Sequence, residues 1–347
     1  MSYILDMKKQ ILYLVTGILT CVLGITKIVN MTEYIFFPGI KKMTEEEEVW
    51  NIFPLFRYIE DTVQTASLVE DSLTYEMIML AQEQEEVQVE EVVEETKPTA
   101  SISTDKLSDY NYLRSTFYTV DSTTTIGEDQ LNIEDLMKYD TKINQETDGP
   151  KILIFHTHSQ ETYADGTTIS QMGAYLSELL NQKGIETLHH NGVYDLINGK
   201  LDRSKAYQLA CENVQKILNE NPSIEVVIDL HRDGVPENKH LVTTINGEPT
   251  AKIMYFNGLS RTKSNGDISY LHNPYIDENL SFSFQMQLAS ENMYPGFARK
   301  IYLKGYRYSL YMMPKSLLIE AGAQTNTKEE MKNAMELLAN VLEEVLL

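Results

Sequence analysis

Cysteine is nearly absent from the 347-residue chain: Cys21 and Cys211 are the only two. Cys21 lies inside an apolar run, so no intramolecular disulfide is expected and a small disulfide-stapled scaffold is excluded. Around Cys211 the apolar residues Tyr207, Ala210, Val214, Ile217 and Leu218 recur at helical spacing, which reads as a buried core thiol rather than a nucleophile. No Gly-x-Ser-x-Gly turn is present, which sets aside the serine-elbow hydrolases. Bases are scarce as well, with 29 Lys and Arg against 51 Asp and Glu, a formal charge of −22. Affinity for phosphate backbones rests on clustered bases, so a nucleic-acid binder is excluded. What remains is 42% hydrophobic and 23% charged, ordinary usage for a chain with a packed domain.

The acidity is local. Between Met43 and Thr96 sixteen acidic residues stand against one base, Arg57, so this segment carries −15 of the −22. Its Glu, Gln and Val mixture from Gln82 to Glu95 reads as a solvated, self-repelling spacer. Ahead of it, Ile11 to Val29 is a mainly apolar run whose only charge is Lys27, about the minimum length of a membrane-crossing helix. Lysines precede this run and acids follow it, which places residues 1–10 in the cytoplasm and the bulk outside. A cleaved signal peptide is the rival reading, but no small-x-small site follows Val29. The expected organisation is therefore a cytoplasmic N-terminus (1–10), an anchor (11–29), an acidic extracytoplasmic linker (30–100), a lead segment docking on the domain that follows (101–147), and that domain (148–347). Apolar and aromatic residues return in the lead segment at Tyr110, Tyr112, Leu113, Phe117, Tyr118, Leu131 and Leu136.

From Pro150 the pattern alternates. Lys151 to Phe155 and Ile224 to Leu230 are β-type runs, Ser316 to Ile319 leads another, and Ile185 to Leu188 is extended. Helices are expected around Met172, Leu176, Leu179 and Leu180, around Cys211, and after Thr327, where Thr327 and Glu330 have the spacing of a capping box. The fold class expected is α/β, with a mostly parallel sheet and helices on both faces.

In such sheets ligand sites gather at the carboxyl ends of strands. One run ends in His156-Thr157-His158-Ser159-Gln160-Glu161, the second in Asp229-Leu230-His231-Arg232-Asp233, and the third in Glu320-Ala321-Gly322. Three of the seven histidines fall there. Two or more His with a carboxylate form the ligand set of a catalytic Zn²⁺, and a nearby carboxylate can move the proton of the activated water. Glu320 suits that role because it follows Leu317, Leu318 and Ile319, where desolvation raises a carboxyl pKa. Each residue also has a duller reading. His156 can be a core histidine, Ser159 and Thr162 can cap the next turn, Glu161 can be a solvated loop acid, and Arg232 and Asp233 either serve His231 or substrate or pair with their own surroundings.

The combination HTHSQE, DLHRDG and LLIEAGAQTNT in this order, together with NYLRSTFYTVDSTT from Asn111, resembles the stage II sporulation protein P family of endospore formers. More distantly the core resembles zinc-dependent N-acetylmuramoyl-L-alanine amidases. That resemblance implies His158, not His156, and His231 as zinc ligands, with Glu320 catalytic. The amidases take a third ligand, a Glu, from the start of the following helix. Thr168 to Gln171 holds no acid, and Glu161 is the nearest substitute. The family implies cleavage of peptidoglycan at the muramoyl-alanine amide and at peptide cross-links, in the mother cell's septal and engulfing membrane. The partners it implies are stage II sporulation protein D, a lytic transglycosylase, and a membrane recruitment protein. The alternative from another class is a non-catalytic wall-binding scaffold that recruits hydrolases, although a scaffold has no need of Glu320 beside His158 and His231.

Overall fold

The computed structural model describes residues 106–347 apart from Asn265. The expected N-terminus, anchor and linker, with Cys21, lie outside the described residues. Among the described residues no helix is long and apolar enough to cross a membrane.

Six α-helices and thirteen strands follow one another among the described residues. They are α1 (Tyr110–Phe117), β1 (Tyr118–Val120), α2 (Ile133–Lys138), β2 (Ile152–Phe155), α3 (Ile169–Gln182), β3 (Thr187–His189), β4 (Leu196–Ile197), β5 (Lys200–Leu201), α4 (Ala206–Glu220), β6 (Val226–Asp233), β7 (Val242–Ile245), β8 (Glu248–Ala251), β9 (Ile253–Gly258), β10 (Arg261–Thr262), β11 (Gly266–Asp267), α5 (Ile276–Met293), β12 (Ala298–Lys304), β13 (Ser316–Ala323) and α6 (Lys328–Leu346). Seven strands make the main sheet, in the order β1-β12-β9-β13-β6-β2-β3. Every neighbouring pair is parallel except β9 with β13. That single antiparallel seam turns the sheet into two parallel halves of opposite direction. The carboxyl ends of β2, β6 and β13 therefore share one edge with the amino ends of β9 and β12.

The expected mixed α/β fold with a mostly parallel sheet is present. All four residues of β2 are buried, as a strand covered on both faces requires. Ile152 and Ile154 join the large core with α3, α5 and α6, while Leu153 and Phe155 join a smaller core beneath α4. Cys211 lies in that smaller core, buried as expected, and burial pushes its thiol pKa up to about 12. The capping box of Thr327 and Glu330 opens α6, and a second one, of Thr168 and Gln171, opens α3. Ser159 and Thr162 do not cap that helix.

The lead segment packs Leu113, Phe117, Leu131 and Leu136 into the large core. Phe117 meets Phe284 of α5 edge-on at 5.2 Å. β1 adds an edge strand to the sheet by pairing with β12 from Tyr118↔Ile301 to Val120↔Leu303. Further along, Thr141 Oγ1 donates to Val345 O and Ile143 N donates to Leu346 O.

Candidate active site at the carboxyl ends of β2, β6 and β13

His156 and His158 are both buried just past the end of β2, but their ring nitrogens meet different surroundings. His156 is completely buried, and both its ring nitrogens are engaged. Nδ1 lies 2.8 Å from Leu230 O, and because a carbonyl only accepts, Nδ1 carries the proton. Nε2 then accepts from His189 Nε2 at 2.9 Å. Burial lowers the His156 pKa to about 3, so the ring is neutral at physiological pH. Gly173 of α3 makes this pair possible, since a Cβ there would stand 2.5 Å from His156 Cε1 and 2.9 Å from His189 Nε2.

His158 is equally buried, yet neither of its ring nitrogens has a hydrogen-bond partner. Burial holds its pKa well below the usual histidine value, and the nearby His231, Arg203 and Arg232 charges add to the effect. Its ring centroid is 5.1 Å from that of His231, the β6 histidine, at 67°. Tyr207 of α4 closes over both rings, edge-on to His158 at 5.3 Å and stacked on His231 at 6.2 Å. The sequence reading placed Tyr207 only on a core-facing helix stripe.

Glu161 is 4% exposed, so it is not a solvated loop acid. Its Oε2 accepts from Arg232 N at 2.8 Å and stands 4.0 Å from His231 Nδ1, and its Oε1 meets Arg203 Nη2 at 3.4 Å. Burial raises its pKa to about 7 against the opposing pull of His231, Arg203 and Arg232. The loop carrying it is tied down at both ends. Asp195 accepts from Ser159 Oγ at 2.9 Å and Gln160 N at 3.2 Å, and Tyr163 Oη donates to Ala321 O at 2.8 Å.

Glu320, half-buried, is the direct register partner of His231 across the β13/β6 pair. Register shifts immediately afterwards, between Glu320 and Ala323, where Gly322 adopts φ 62°. The bulge ends the regular pairing just past the carboxylate. A Cβ on Gly322 would come 2.5 Å from Met331 Sδ, so only glycine fits the turn.

Asp233 and Arg232 are engaged with their own surroundings. Asp233 Oδ2 pairs with Arg299 Nη1 of β12 at 2.6 Å, both side chains being nearly buried. Arg232 Nη1 donates to Asp233 O at 3.1 Å and Gln324 Oε1 at 3.3 Å.

Among the described residues no three His, Cys, Asp or Glu side chains converge as a ready metal cage. The chemistry of the donors nonetheless fits zinc. A buried neutral imidazole with two orphaned nitrogens, a second imidazole beside it and a buried carboxylate are the ligand types zinc takes.

The fold and this cluster define the class: a mostly parallel α/β protein whose paired histidines and acids sit at the carboxyl ends of adjacent strands. The family follows from comparison with known proteins. The model of the family "Stage II sporulation protein P (SpoIIP)" matches residues 57–343, and the chain belongs to that family. Stage II sporulation protein P of Bacillus subtilis (strain 168) is 24% identical over 248 residues, covering 63% of this chain and 59% of the relative. The chain thus matches less than two thirds of that curated relative's length. Solved structures of similar shape include the N-acetylmuramoyl-L-alanine amidase AmiC2 of Nostoc punctiforme, at 11% identity and TM-score 0.36 over 57% of this chain and 98% of that one. Another is the CwlD amidase from Clostridioides difficile, solved with the GerS lipoprotein, at 15% identity and TM-score 0.37 over 56% of this chain and 98% of that one.

Proposed function

We propose that the protein is a membrane-anchored peptidoglycan hydrolase of sporulation. In this reading it cleaves the amide between N-acetylmuramic acid and L-alanine, and also peptide cross-links. The observation that carries the reading is His158: two buried ring nitrogens with no hydrogen-bond partner, facing His231, with Glu320 in register alongside. His158, His231 and Glu161 would hold Zn²⁺, with His156 held in place as a support. Zinc in such a site supplies Lewis acidity, bringing the pKa of water to about 7.

Glu320 then takes the proton of the attacking water and gives it to the leaving amine nitrogen. Tyr207 shields the two rings from solvent. Residues 11–29 would anchor the chain in the mother cell's engulfing membrane with the domain outside, beside stage II sporulation protein D and a recruiting membrane protein.

The test is metal content and stem-peptide release from cell wall by the purified full chain. One zinc per chain and chelator-sensitive release are expected. Glu320→Gln should lower release by about 10²–10⁴-fold with zinc retained, and His231→Ala should lose the metal. Full activity in Glu320→Gln, or a full equivalent of zinc in His231→Ala, sinks the mechanism. Absence of soluble products from the wild type would favour the recruiting scaffold.

A further inference from the structure

Asp229 has no role in the reading above, yet it is completely buried on β6, paired in register with Phe155 at the end of β2. It precedes His231 by two residues on β6, so the two side chains share one face of the sheet. Four polar atoms surround its two oxygens. Oδ1 accepts from Thr157 N at 2.9 Å and stands 2.8 Å from His231 Nε2, a close charge contact rather than an aligned hydrogen bond, since that buried nitrogen has no hydrogen-bond partner. Oδ2 accepts from Thr157 Oγ1 and Ser309 Oγ, both at 2.7 Å. Thr157 comes from the turn between His156 and His158, and Ser309 follows Tyr308, which is held at φ 50° with its ring edge-on to Tyr207 at 5.4 Å. The carboxylate is therefore held by three hydrogen bonds and pressed against the imidazole, which leaves no open side for a metal.

We infer that Asp229 is a positioning residue that holds His231 from its Nε2 side and so makes Nδ1 the nitrogen that faces the metal. This rests on the zinc reading proposed above. Three observations lead to it. The Asp229 carboxylate is at Nε2, the Glu161 carboxylate is on the Nδ1 side of the same ring at 4.0 Å, and Asp229 is itself fixed by donors from two separate loops. A ligating imidazole held at its second nitrogen by a carboxylate keeps one tautomer and one ring orientation, and it becomes a better donor. Thr157 and Ser309 act one step further out by keeping the carboxylate in place. The Gly305–Lys315 loop, which carries no residue of the proposed ligand set, thereby reaches the metal-facing ring through Ser309.

The test uses the full chain. Zinc affinity is measured by competition with a chromophoric chelator, and the visible absorption of the cobalt-substituted protein is recorded beside it for wild type, Asp229→Asn and Ser309→Ala. Asp229→Asn preserves the shape of the side chain and removes its charge. It should weaken zinc binding by about 10- to 100-fold and shift the cobalt bands. Ser309→Ala should weaken zinc several-fold and shift the bands in the same direction, with Asp229 still present. A purely structural role would lower the melting temperature and leave the affinity and cobalt spectrum of the folded fraction unchanged.

If the wild type binds zinc and a folded Asp229→Asn binds it equally well with the same cobalt spectrum, the positioning role is overturned while the zinc reading stands. If Asp229→Asn does not fold, unchanged affinity and spectrum in Ser309→Ala overturn the positioning role instead. A wild-type chain that binds no zinc overturns the zinc reading, and this inference with it.

Discussion

A neutral histidine sealed inside a protein makes the fold sensitive to acid, and His156 is such a group. Its folded pKa is held at about 3 by burial, whereas an unfolded histidine titrates near 6.5. The sign follows from which state takes the proton. Well above pH 6.5 both states are neutral and the stabilisation is complete. As pH falls, the unfolded chain binds a proton that the folded ring refuses, so stability is lost progressively down to about pH 3. One pKa unit corresponds to about 1.36 kcal/mol, and the unfolded ring is already half protonated at pH 6.5, so the span from pH 6.5 to 4.5 removes about 2 kcal/mol through this ring alone. His158 and His189, also lowered by burial, act in the same direction, so wild-type data alone do not isolate His156. The comparison that does is urea unfolding of chelator-treated wild type and His156→Gln, followed by circular dichroism at several pH values. The variant is less stable at pH 6.5, because Leu230 O and His189 lose their partner, but the gap should shrink by about 2 kcal/mol by pH 4.5. A gap that stays constant over this range refutes the buried neutral ring and the tautomer assigned from Leu230 O.

Glu161 makes the opposite prediction. Its folded pKa is raised to about 7 by burial, so in metal-free protein its contribution is fully present at low pH and is lost as pH rises from about 4.5 through 7, roughly 3 kcal/mol in all. Glu161→Gln should gain that much on the wild type between pH 4.5 and 7.5 in chelator-treated urea titrations, and no relative gain would show the carboxylate to be charged and satisfied. Gly173→Ala drives a methyl group into the His156–His189 pair and should cost about 1–3 kcal/mol in thermal or urea unfolding, and wild-type stability would refute the close approach. Arg299→Ala strips Asp233 of its buried partner and should cost about 3–5 kcal/mol, with Arg299→Ala/Asp233→Ala recovering part of it in a double-mutant cycle.

The elements around the site were legible in the sequence because their signals are local. The β-branched run before Asp229, the helix stripe through Cys211 and the Thr327–Glu330 spacing each state their own structure. The block from Val242 to Lys304 gave no such signal. Helix α5 buries Asn279, Ser281, Ser283, Gln287 and Ser290 together with Phe282, Phe284 and Met286, so polar and apolar residues alternate around it and no amphipathic stripe appears. Two of its polar residues bond partners distant in sequence, Asn257 Nδ2 donating to Ser283 Oγ and Asn279 Nδ2 donating to Leu310 O, and the hydroxyls of Ser281 and Ser290 turn back onto carbonyls of the helix itself. The three-residue β1 is too short to show a period. At the site, strand-end placement drew attention to His158, His231 and Glu320, and the structure gathers them. What stayed hidden was the task of Asp229, which stood in a strand-end run with no role of its own, and Ser309, whose approach depends on the backbone turn at Tyr308.

The edge strand β1 and the bonds from Thr141 and Ile143 to the last turn of α6 join the two ends of the described domain. Contacts between such distant parts of a chain form late, because most of the chain must be ordered before they gain anything. A polypeptide that emerges N-terminus first would hold Tyr118–Val120 unpaired until Ile301–Leu303 arrive, and Thr141 and Ile143 unsatisfied until the final helix is made. Folding of this domain is therefore timed by its last residues, and a chain that stops short of α6 is left with an open sheet edge and an uncovered core rather than a smaller working protein.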